Sequence, residues 1–352
     1  MKEKKMSKMK RAVLYDPEDL RIEEAEIPVP GPGDVVIKNE ISLTCGTDVK
    51  SYKRGYPLMT PPFPLGHEAS GKVYAVGEGV TKFKVGDRVV SHNSAPCHEC
   101  YYCKKGLHSM CEDLIINNSK NGAFAQYQLI PARIVKQNMF HIPDDMSYKQ
   151  AALLEPFSCA VYGTANVPVE QGDYVVVNGC GPIGLMFIRL LYLKGARVIA
   201  SDMSETRLET AKKLGAFDIV DISKVDDQIE AVKALTPEGR GVDVAVEATG
   251  LAKVWELTIQ MARPGGFVLC FGGTKAGDTV TVDTKLLHYS QITIKGVFHT
   301  TPLYVNQAFE LLKMHAIDEK DFVQNEYKLD DVEKALIEHS KGGVIKNFIT
   351  YN

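Results

Sequence analysis

The fold of this chain is decided by one stretch of sequence, Tyr174-Val175-Val176-Val177-Asn178-Gly179-Cys180-Gly181-Pro182-Ile183-Gly184. It opens with apolar residues that are typical of a strand buried on both faces. Its glycines follow at the spacing G-x-G-x2-G, and an apolar helical run from Leu185 to Lys194 comes next. A strand, a glycine-rich turn and a helix in this order predict the first unit of a parallel, doubly wound sheet.

The alternation of strands and helices continues beyond this turn. A helix is predicted at Ser204–Leu214, and further strands are predicted at Arg197–Ala200, Asp218–Val220, Val242–Val246, Phe267–Phe271 and Ile292–Ile294. Strands that alternate with helices are typical of a parallel sheet with helices on both faces. We therefore assign the α/β fold class and expect a doubly wound Rossmann domain over residues 158–296.

The same stretch indicates a dinucleotide site. Gly179, Gly181 and Gly184 let the backbone approach a pyrophosphate, which rests on the free N–H groups of the helix N-terminus. Asp202 ends the next predicted strand, where its carboxylate accepts hydrogen bonds from the adenosine ribose and repels a 2′-phosphate. NAD is therefore favoured over NADP. Arg207 keeps NADP open as the alternative, because a basic side chain here can meet a phosphate or stack on adenine.

The residues before this domain have a different pattern. Short apolar runs such as Val35–Ile37, Gly71–Val76 and Arg88–Val90 alternate with turns rich in Gly, Pro and Asp. Short strands at this spacing predict a partly barrelled β domain over residues 1–157. We expect no long helix before about Ser147.

The last part of the chain, residues 297–352, is too short for a hydrophobic core of its own. It contains predicted helices at about Leu303–Met314 and Asp330–Ser340 and a closing strand near Val344–Thr350. We expect this segment to return to the first domain.

Four of the eight cysteines stand close together in the first domain, as Cys97-x2-Cys100-x2-Cys103-x7-Cys111. Four thiolates on one loop surround a tetrahedral zinc ion without leaving an open position, which is the arrangement of a structural site. An iron–sulfur cluster is the alternative, because soft thiolates suit both. We predict a structural zinc lobe at about residues 92–115.

A second group of ligand types lies upstream, where Thr44-Cys45-Gly46-Thr47-Asp48 is followed by Gly66-His67-Glu68. Thiolate and neutral imidazole are ligands that zinc prefers, and three protein ligands with an open position are typical of a catalytic zinc site. A lone cysteine or histidine is more often a packing residue, but here both lie in one segment beside a carboxylate. Cys45, His67 and Glu68 are therefore candidate ligands of a catalytic zinc.

These patterns occur together with Gly66-His67-Glu68-x2-Gly71-x5-Gly77-x2-Val80, and in this order they resemble the zinc-dependent medium-chain dehydrogenase/reductase family, the alcohol and polyol dehydrogenases. The resemblance runs from about residue 11 to residue 350. It implies a GroES-like catalytic domain, two zinc ions per chain, NAD, and a small-molecule substrate. It also implies a homodimer or homotetramer in which the cofactor-domain sheets continue across a two-fold axis.

The resemblance implies a role for each matching residue. Cys45 and His67 match zinc ligands, and Glu68 matches a carboxylate that binds zinc in some members and lies behind the ligands in others. Asp48 matches the residue that orients the histidine, and Thr47 matches the hydroxyl that passes on the substrate proton. The implied cofactor contacts are Gly179, Gly181, Pro182, Ile183, Gly184, Asp202, Arg207, Thr249 and Phe298.

The third ligand position differs between branches of the family. Alcohol dehydrogenases have a cysteine where this chain has Glu155, within Leu154-Glu155-Pro156. A glutamate here resembles the polyol branch, the sorbitol or L-iditol dehydrogenases, so we expect oxidation of a secondary hydroxyl of a polyol to the ketone. Threonine 3-dehydrogenase, a dehydrogenase of cyclitols or sugar phosphates, and a non-catalytic NAD-binding relative are the alternatives. Whether Glu68 or Glu155 is the direct ligand stays open at this point.

The chain departs from the family pattern at Lys50, where members often have a histidine as the last proton relay. Lys50 is therefore a candidate for proton exit, beside water or the cofactor ribose. The loop predicted at Lys50–Arg54 is basic. It is either a solvated face or a contact to an anionic group of the substrate.

Composition adds limits on partners and location. A chain of 352 residues exceeds the usual size of one hydrophobic core, which favours two domains. A formal net charge of −3 gives no reason to expect nucleic acid or an anionic membrane as partner. The basic start Met1–Arg11 lacks the apolar segment of a signal peptide, so we expect a solvated tail and a cytoplasmic protein with reduced cysteines.

Overall fold

The structure is a computed structural model that describes residues 8–56 and 58–351. Its strands, in chain order, are β1 (Lys8–Asp16), β2 (Asp19–Glu26), β3 (Val35–Leu43), β4 (Phe63–Pro64), β5 (Glu68–Val76), β6 (Arg88–Ser91), β7 (Tyr127–Ile130), β8 (Met139–His141), β9 (Tyr174–Asn178), β10 (Arg197–Asp202), β11 (Asp218–Asp221), β12 (Val242–Glu247), β13 (Ala262–Cys270), β14 (Thr293–Gly296), β15 (Val323–Lys328) and β16 (Lys346–Thr350).

The α-helices are α1 (Gly46–Arg54), α2 (Tyr101–Lys104), α3 (Ala132–Asn138), α4 (Tyr148–Ala152), α5 (Leu154–Ala165), α6 (Pro182–Leu193), α7 (Glu205–Lys213), α8 (Gln228–Ala234), α9 (Ala252–Met261), α10 (Thr284–Tyr289), α11 (Pro302–Lys313) and α12 (Val332–Ser340). Within the described residues, none of them combines the length and the apolar character that are needed to cross a bilayer.

The chain divides into two compact units. The first consists of the described parts of Met1–Ser158 and Thr300–Asn352, and the second consists of Cys159–His299. The C-terminal segment therefore groups with the N-terminal part of the chain. These limits lie close to the boundaries predicted at residues 157 and 296.

The first unit contains two β-sheets. In the smaller sheet, β1 pairs with β2 and β4, and the larger sheet has the order β15-β16-β3-β5-β6-β8, with β7 on β3. The C-terminal strand β16 runs antiparallel to β3, and Phe348 pairs with Leu43. Just beyond this pair, the N–H of Thr44 donates to the carbonyl of Asn347 at 2.9 Å. The end of β3, which leads into Cys45, is thus fixed by the C-terminal strand.

Helix α1 is held by tertiary packing. Val49 and Tyr52 of this helix belong to a buried apolar cluster that also contains Val332 and Leu336 of α12 and Ile349 of β16. Complete burial of one such aliphatic side chain contributes about 1.5–3 kcal/mol. A helix this short is marginal in isolation, so the C-terminal elements stabilise the start of the candidate metal site.

The second unit contains a six-stranded parallel sheet in the order β11-β10-β9-β12-β13-β14. Val175, Val176 and Val177 of β9 are completely buried, because the strand lies in the middle of the sheet. The strand order reverses between β9 and β12, which is the switch point of a doubly wound fold. The predicted fold class, α/β with a Rossmann-type sheet, is confirmed.

Two local predictions are wrong. Lys50–Arg54 is not a loop but the last part of α1, in which Ser51 and Tyr52 are buried. The helix starts at a cysteine N-cap instead of the usual Ser, Thr or Asp, so its sequence gives a weak start signal. Lys8–Arg11, predicted within a solvated tail, forms the beginning of β1. The preceding residues, Met1–Ser7, lie outside the described part of the chain.

Candidate metal and cofactor sites

The first candidate metal site begins at the N-terminus of α1. Cys45 is the N-cap residue, and its Sγ accepts a hydrogen bond from the N–H of Thr47 at 3.5 Å. The Oδ2 of Asp48 accepts one from the N–H of Cys45 at 3.1 Å, which completes a capping box built on a thiol. The capping box fixes the position of the sulfur at the start of α1.

Asp48 also fixes the orientation of His67. The Oδ1 of this buried aspartate lies 3.1 Å from Nδ1 of His67. Burial lowers the pKa of His67, but the carboxylate of Asp48 and the side chain of Cys45 outweigh it and raise the pKa well above its usual value. A proton on Nδ1 that is donated to Asp48 leaves Nε2 as the ligand atom.

Cys45, His67 and Glu68 form a cluster. One ligand atom of each residue lies within 4.8 Å of those of the other two. Sulfur, imidazole nitrogen and carboxylate oxygen are the donors of tetrahedral zinc, so these residues fit the metal. Glu155 at the start of α5 reaches the same place, because its Oε2 lies 3.9 Å from Nε2 of His67. Both candidate carboxylates are therefore at this site.

The two carboxylates have different neighbours. Both oxygens of Glu68 accept hydrogen bonds from Nζ of Lys346 at 2.7 Å, and both side chains are completely buried. Nζ of Lys346 also donates to the carbonyl of Thr44 at 3.1 Å. Burial lowers the pKa of Lys346, but the carboxylate of Glu68 outweighs it and raises the pKa. Glu68 is thus the partner of a buried cation.

Glu155 lies between two imidazole rings. Its Oε1 is 3.7 Å from Nε2 of His92, and its Oε2 is the atom near His67. Burial raises the pKa of Glu155 to about 7, although the positive charge of His67 opposes this. A buried carboxylate in this position gains from a cation bound beside it.

The second candidate metal site is the cysteine lobe. The Sγ atoms of Cys97, Cys100, Cys103 and Cys111 all lie within 4.8 Å of one another, and none of these cysteines forms a disulfide. The N–H groups of Glu99 and Cys100 donate to Sγ of Cys97 at 3.3 and 3.2 Å. Hydrogen bonds from backbone N–H groups lower the pKa of Cys100 to about 7. Burial instead raises the pKa of Cys103 and of Cys111. Four clustered cysteines are the ligand set of a closed tetrahedral zinc site, so the lobe fits this metal.

The glycine-rich turn of the second unit has the shape that a dinucleotide requires. Gly179 has φ of +96°, and a Cβ placed on it would lie 2.6 Å from Cγ2 of Thr249. A Cβ on Gly184 would lie 1.8 Å from the carbonyl oxygen of Gly179. A Cβ on Gly181, the N-cap of α6, would meet nothing within 4 Å. The turn is closely packed on its own fold and open at the helix N-terminus, which fits a pyrophosphate.

Four of the other predicted cofactor residues lie in or beside this turn. Asp202, at the end of β10, accepts a hydrogen bond from the N–H of Cys180 at 2.7 Å. Burial raises the pKa of Cys180 and the guanidinium of Arg207 opposes it, so Arg207 lies within electrostatic range of the turn. Pro182 and Ile183 begin α6. The described contact of the remaining residue, Phe298, is with the ring of His299 at 5.7 Å between centroids.

Comparison with known proteins decides the family. Residues 31–144 match the family model described as alcohol dehydrogenase GroES-like domain, and residues 182–314 match the model described as zinc-binding dehydrogenase. Sorbitol dehydrogenase from Bacillus subtilis is 33% identical over 334 residues, which cover 93% of this chain and 92% of that protein. The chain belongs to the zinc-dependent medium-chain dehydrogenase/reductase family.

Other members of the family match the chain over nearly its whole length. (R,R)-butanediol dehydrogenase from Bacillus subtilis is 34% identical over 352 residues. The matched residues cover 96% of this chain and 96% of that protein. The crystal structure of a zinc-binding dehydrogenase from Sinorhizobium meliloti 1021 with bound NADP has a TM-score of 0.89 at 28% identity, with 98% of this chain and 99% of that chain covered. This medium-chain dehydrogenase is therefore an oxidoreductase of the alcohol/polyol dehydrogenase type that acts on a small molecule.

Three residues near the first candidate metal site of this medium-chain dehydrogenase were not predicted from the sequence, namely Lys346, His92 and Tyr56. Burial raises the pKa of Tyr56, and His67, Glu155 and Cys45 also act on it, so its hydroxyl lies within electrostatic range of these candidate ligands. A lysine inside the apolar closing strand was a usable signal for Lys346, because such a lysine needs a buried partner.

Two predicted residues of the dehydrogenase, Thr47 and Lys50, lie on α1. The side chain of Thr47 is exposed and that of Lys50 is half-buried. Their positions beside Cys45 in the chain follow from the helix, and their parts in proton transfer stay predictions.

Proposed function

We propose that this dehydrogenase oxidises a secondary hydroxyl of a polyol to the ketone with NAD, at a zinc ion held by Cys45, His67 and Glu155. The observation that carries this ligand set is the difference between the two carboxylates. Lys346 occupies both oxygens of Glu68, whereas Glu155 directs one oxygen towards the ligand nitrogen of His67. In this proposal Glu68 lies behind the ligands and holds Lys346 in place.

The residues of the chain have separate tasks in the proposed reaction. Asp48 keeps the proton of His67 on Nδ1 through the 3.1 Å contact, and it fixes the backbone of Cys45 at the same time. Thr47 accepts the proton of the substrate hydroxyl and passes it on, and Lys50 is a candidate for its exit. When bound, zinc acidifies the substrate hydroxyl and the nicotinamide takes up the hydride.

Two further points support a polyol as the substrate. An oxygen ligand from Glu155 in place of a second sulfur leaves a harder, more oxygen-rich shell, which suits a substrate with several hydroxyls. The relatives reported above act, by their names, on sorbitol and on a vicinal butanediol.

A substrate screen combined with metal analysis tests the proposal. We expect two zinc ions per chain and NAD-dependent oxidation of sorbitol, xylitol or a vicinal diol, with weaker turnover of L-threonine, cyclitols and sugar phosphates. Preference for a sugar phosphate would assign Lys50 and Arg54 of α1 to the substrate and replace the polyol proposal. One zinc ion per chain, lost only with the cysteine lobe, would contradict catalysis by zinc.

We propose NAD as the cofactor because of Asp202. Replacement of Asp202 by Ala is expected to reduce the preference for NAD over NADP by roughly tenfold or more, since hydrogen bonds to a charged group contribute about 1.5–3 kcal/mol. Asp221→Ala is the matched control, because this aspartate ends the neighbouring strand β11. An unchanged preference in a folded Asp202→Ala protein would remove Asp202 from the ribose site.

The assembly and location are also proposals. Strand β14 ends the six-stranded sheet, and three of its four residues are exposed. We propose that two copies join along this edge in a homodimer, or pairwise in a homotetramer, in the cytoplasm. Light scattering of the purified protein gives the mass of the assembly. Replacement of Ile294 in β14 by Pro is expected to lower this mass, because Pro cannot donate a hydrogen bond across the sheet edge.

A further inference from the structure

The second unit contains a buried carboxylate that the proposed reaction has not used. Glu247 ends β12, and its side chain is completely buried. Its Oε1 accepts hydrogen bonds from the N–H of Thr249 at 2.6 Å, from the hydroxyl of Thr249 at 2.5 Å and from the N–H of Gly250 at 2.8 Å. Its Oε2 accepts one from the N–H of Gly272 at 3.2 Å. One side chain thereby ties together the loops that follow β12 and β13.

Burial raises the pKa of Glu247, and the hydrogen bonds from Thr249, Gly250 and Gly272 oppose this rise. These bonds favour the ionised form, because each of them is donated to the carboxylate. In the part of the chain that the structure describes, no lysine or arginine nitrogen lies within 4.0 Å of this carboxylate. The carboxylate also affects a neighbouring thiol. Burial and, to a smaller extent, the charge of Glu247 raise the pKa of Cys270 to about 12. Glu247 is thus a buried carboxylate whose ionised form is supported by hydrogen-bond donors and not by a neighbouring cation.

The position of Glu247 relates this charge to one end of the dinucleotide. In a doubly wound sheet the dinucleotide lies across the carboxyl ends of the strands at the switch point, with one nucleotide on each half. Here the switch point lies between β9 and β12. Asp202 of β10 marks the adenosine half, so the nicotinamide half belongs to the side of β12 and β13, where Glu247 lies. Thr249, which Glu247 holds, borders the glycine-rich turn at Gly179.

We propose that Glu247 shapes the nicotinamide end of the site and makes it favour oxidised over reduced cofactor. The nicotinamide ring is cationic in NAD⁺ and neutral in NADH. A fixed negative charge in a poorly solvated place stabilises the cationic ring and has no such effect on the neutral one. Glu247 is therefore a positioning residue that also biases the binding equilibrium towards the substrate form of the cofactor for alcohol oxidation. This inference rests on the proposed use of NAD.

Binding measurements on the holoenzyme test the proposal without turnover. The chain has one tryptophan, and Nε1 of Trp255 donates to the carbonyl of Gly272 at 3.2 Å, so its fluorescence reports on this loop. Dissociation constants are measured for NAD⁺, NADH and ADP-ribose in the wild type and in Glu247→Gln, which keeps the shape and removes the charge. We expect the ratio Kd(NAD⁺)/Kd(NADH) to rise roughly tenfold, as for one unit charge at moderate distance.

Two controls separate charge from shape. Thr249→Ala loosens the loop and keeps the charge, so it should weaken NAD⁺ and NADH equally and leave their ratio unchanged. Glu209→Gln removes an exposed carboxylate of α7 that pairs with Lys212, and all three constants should stay as in the wild type. If the Glu247→Gln protein is too unstable alone, it is purified with ADP-ribose, which stabilises the folded state by mass action. The ratio Kd(NAD⁺)/Kd(NADH) is then obtained from the competition of each cofactor with the bound ADP-ribose.

The outcomes distinguish this inference from the proposed function. Equal weakening of NAD⁺ and NADH in Glu247→Gln, or no change in either, overturns the charge effect and leaves Glu247 a loop-holding residue. Failure of the wild type to bind ADP-ribose and NAD⁺ overturns the proposed cofactor itself. A selective rise in the NAD⁺ constant with ADP-ribose little changed supports the inference.

Discussion

The two candidate metal sites of the first unit are built in opposite ways. The cysteine lobe takes all its ligands from one short loop and uses one element, sulfur. The other candidate site brings together sulfur, nitrogen and oxygen of Cys45, His67 and Glu68, and Glu68 is paired with Lys346 near the far end of the described chain. The lobe is therefore a local cluster, whereas the candidate catalytic site combines residues that are far apart in the sequence of the first unit.

The two sites are also expected to be stabilised differently, the lobe by its metal and the other site by protein contacts. In the lobe we expect metal binding and folding of the loop to be coupled, because a bound metal would offset the charge of four clustered thiolates. At the candidate catalytic site a buried ion pair and the Asp48 contacts are protein interactions that fix the side chains. Four predictions test this contrast.

The largest effect is expected for Cys45→Ser. Loss of the thiolate ligand should abolish turnover while binding of NAD⁺ is largely retained, because the dinucleotide residues lie in the second unit. Zinc content should fall from two ions to one. Cys100→Ser is the matched control: it should remove the lobe zinc and lower the thermal stability, with activity lost in proportion to the unfolded fraction. Full activity of Cys45→Ser would exclude catalysis at this zinc.

Lys346→Met should destabilise the first unit by about 3–5 kcal/mol, since it leaves the carboxylate of Glu68 buried without a partner. The measurement is urea-induced unfolding, with the first unit followed by circular dichroism. The double variant Glu68→Gln/Lys346→Met, which removes both charges, should recover a large part of the loss. If the single and the double variant are equally unstable, the ion pair is not the cause.

Glu155→Gln should reduce zinc affinity, whereas Glu68→Gln should reduce stability. Loss of a direct ligand in Glu155→Gln should weaken zinc binding at the catalytic site by at least about tenfold and leave unfolding nearly unchanged. Glu68→Gln should instead lower stability, because Lys346 then lacks its counter-charge. Zinc affinity by competition with a chelator and unfolding by urea are measured for both. The reverse result would exchange the roles of the two glutamates.

The smallest effect is expected for Tyr52→Phe. The hydroxyl of Tyr52 on α1 donates to Oε1 of Glu333 on α12 at 2.7 Å, so its removal should cost about 0.5–1.5 kcal/mol near pH 8. Burial and this bond raise the pKa of Tyr52 to about 12, above its ordinary value of 10.0. A raised pKa stabilises the fold below pH 10 and this contribution is lost as the pH rises through 12. The wild type and the variant should therefore converge at high pH, and a constant difference would contradict the assignment.

Much of the fold and of the donor set could be predicted from the sequence because the signals are local. The strand, glycine turn and helix around Gly179 are adjacent in the chain, and so are the cysteines of the lobe. Glu155 could be placed only through resemblance, since nothing in its own neighbourhood indicates a ligand. Lys346 and Glu247 act through partners brought near by folding, and their roles depend on burial, which the sequence does not state. Helix α1 was missed because its cap is a thiol.

The ion pair beneath the catalytic site joins residues that are 278 positions apart. Ribosomes make proteins from the N-terminus, so Glu68 is synthesised long before its cation exists. Until Lys346 emerges, Glu68 lacks the partner of its ion pair, so we expect the segment around Cys45 and His67 to stay unfolded. The cysteine lobe has no such delay, because its four ligands leave the ribosome almost together. For the ligand sets proposed above, we therefore expect the lobe to bind its metal before the candidate catalytic site does.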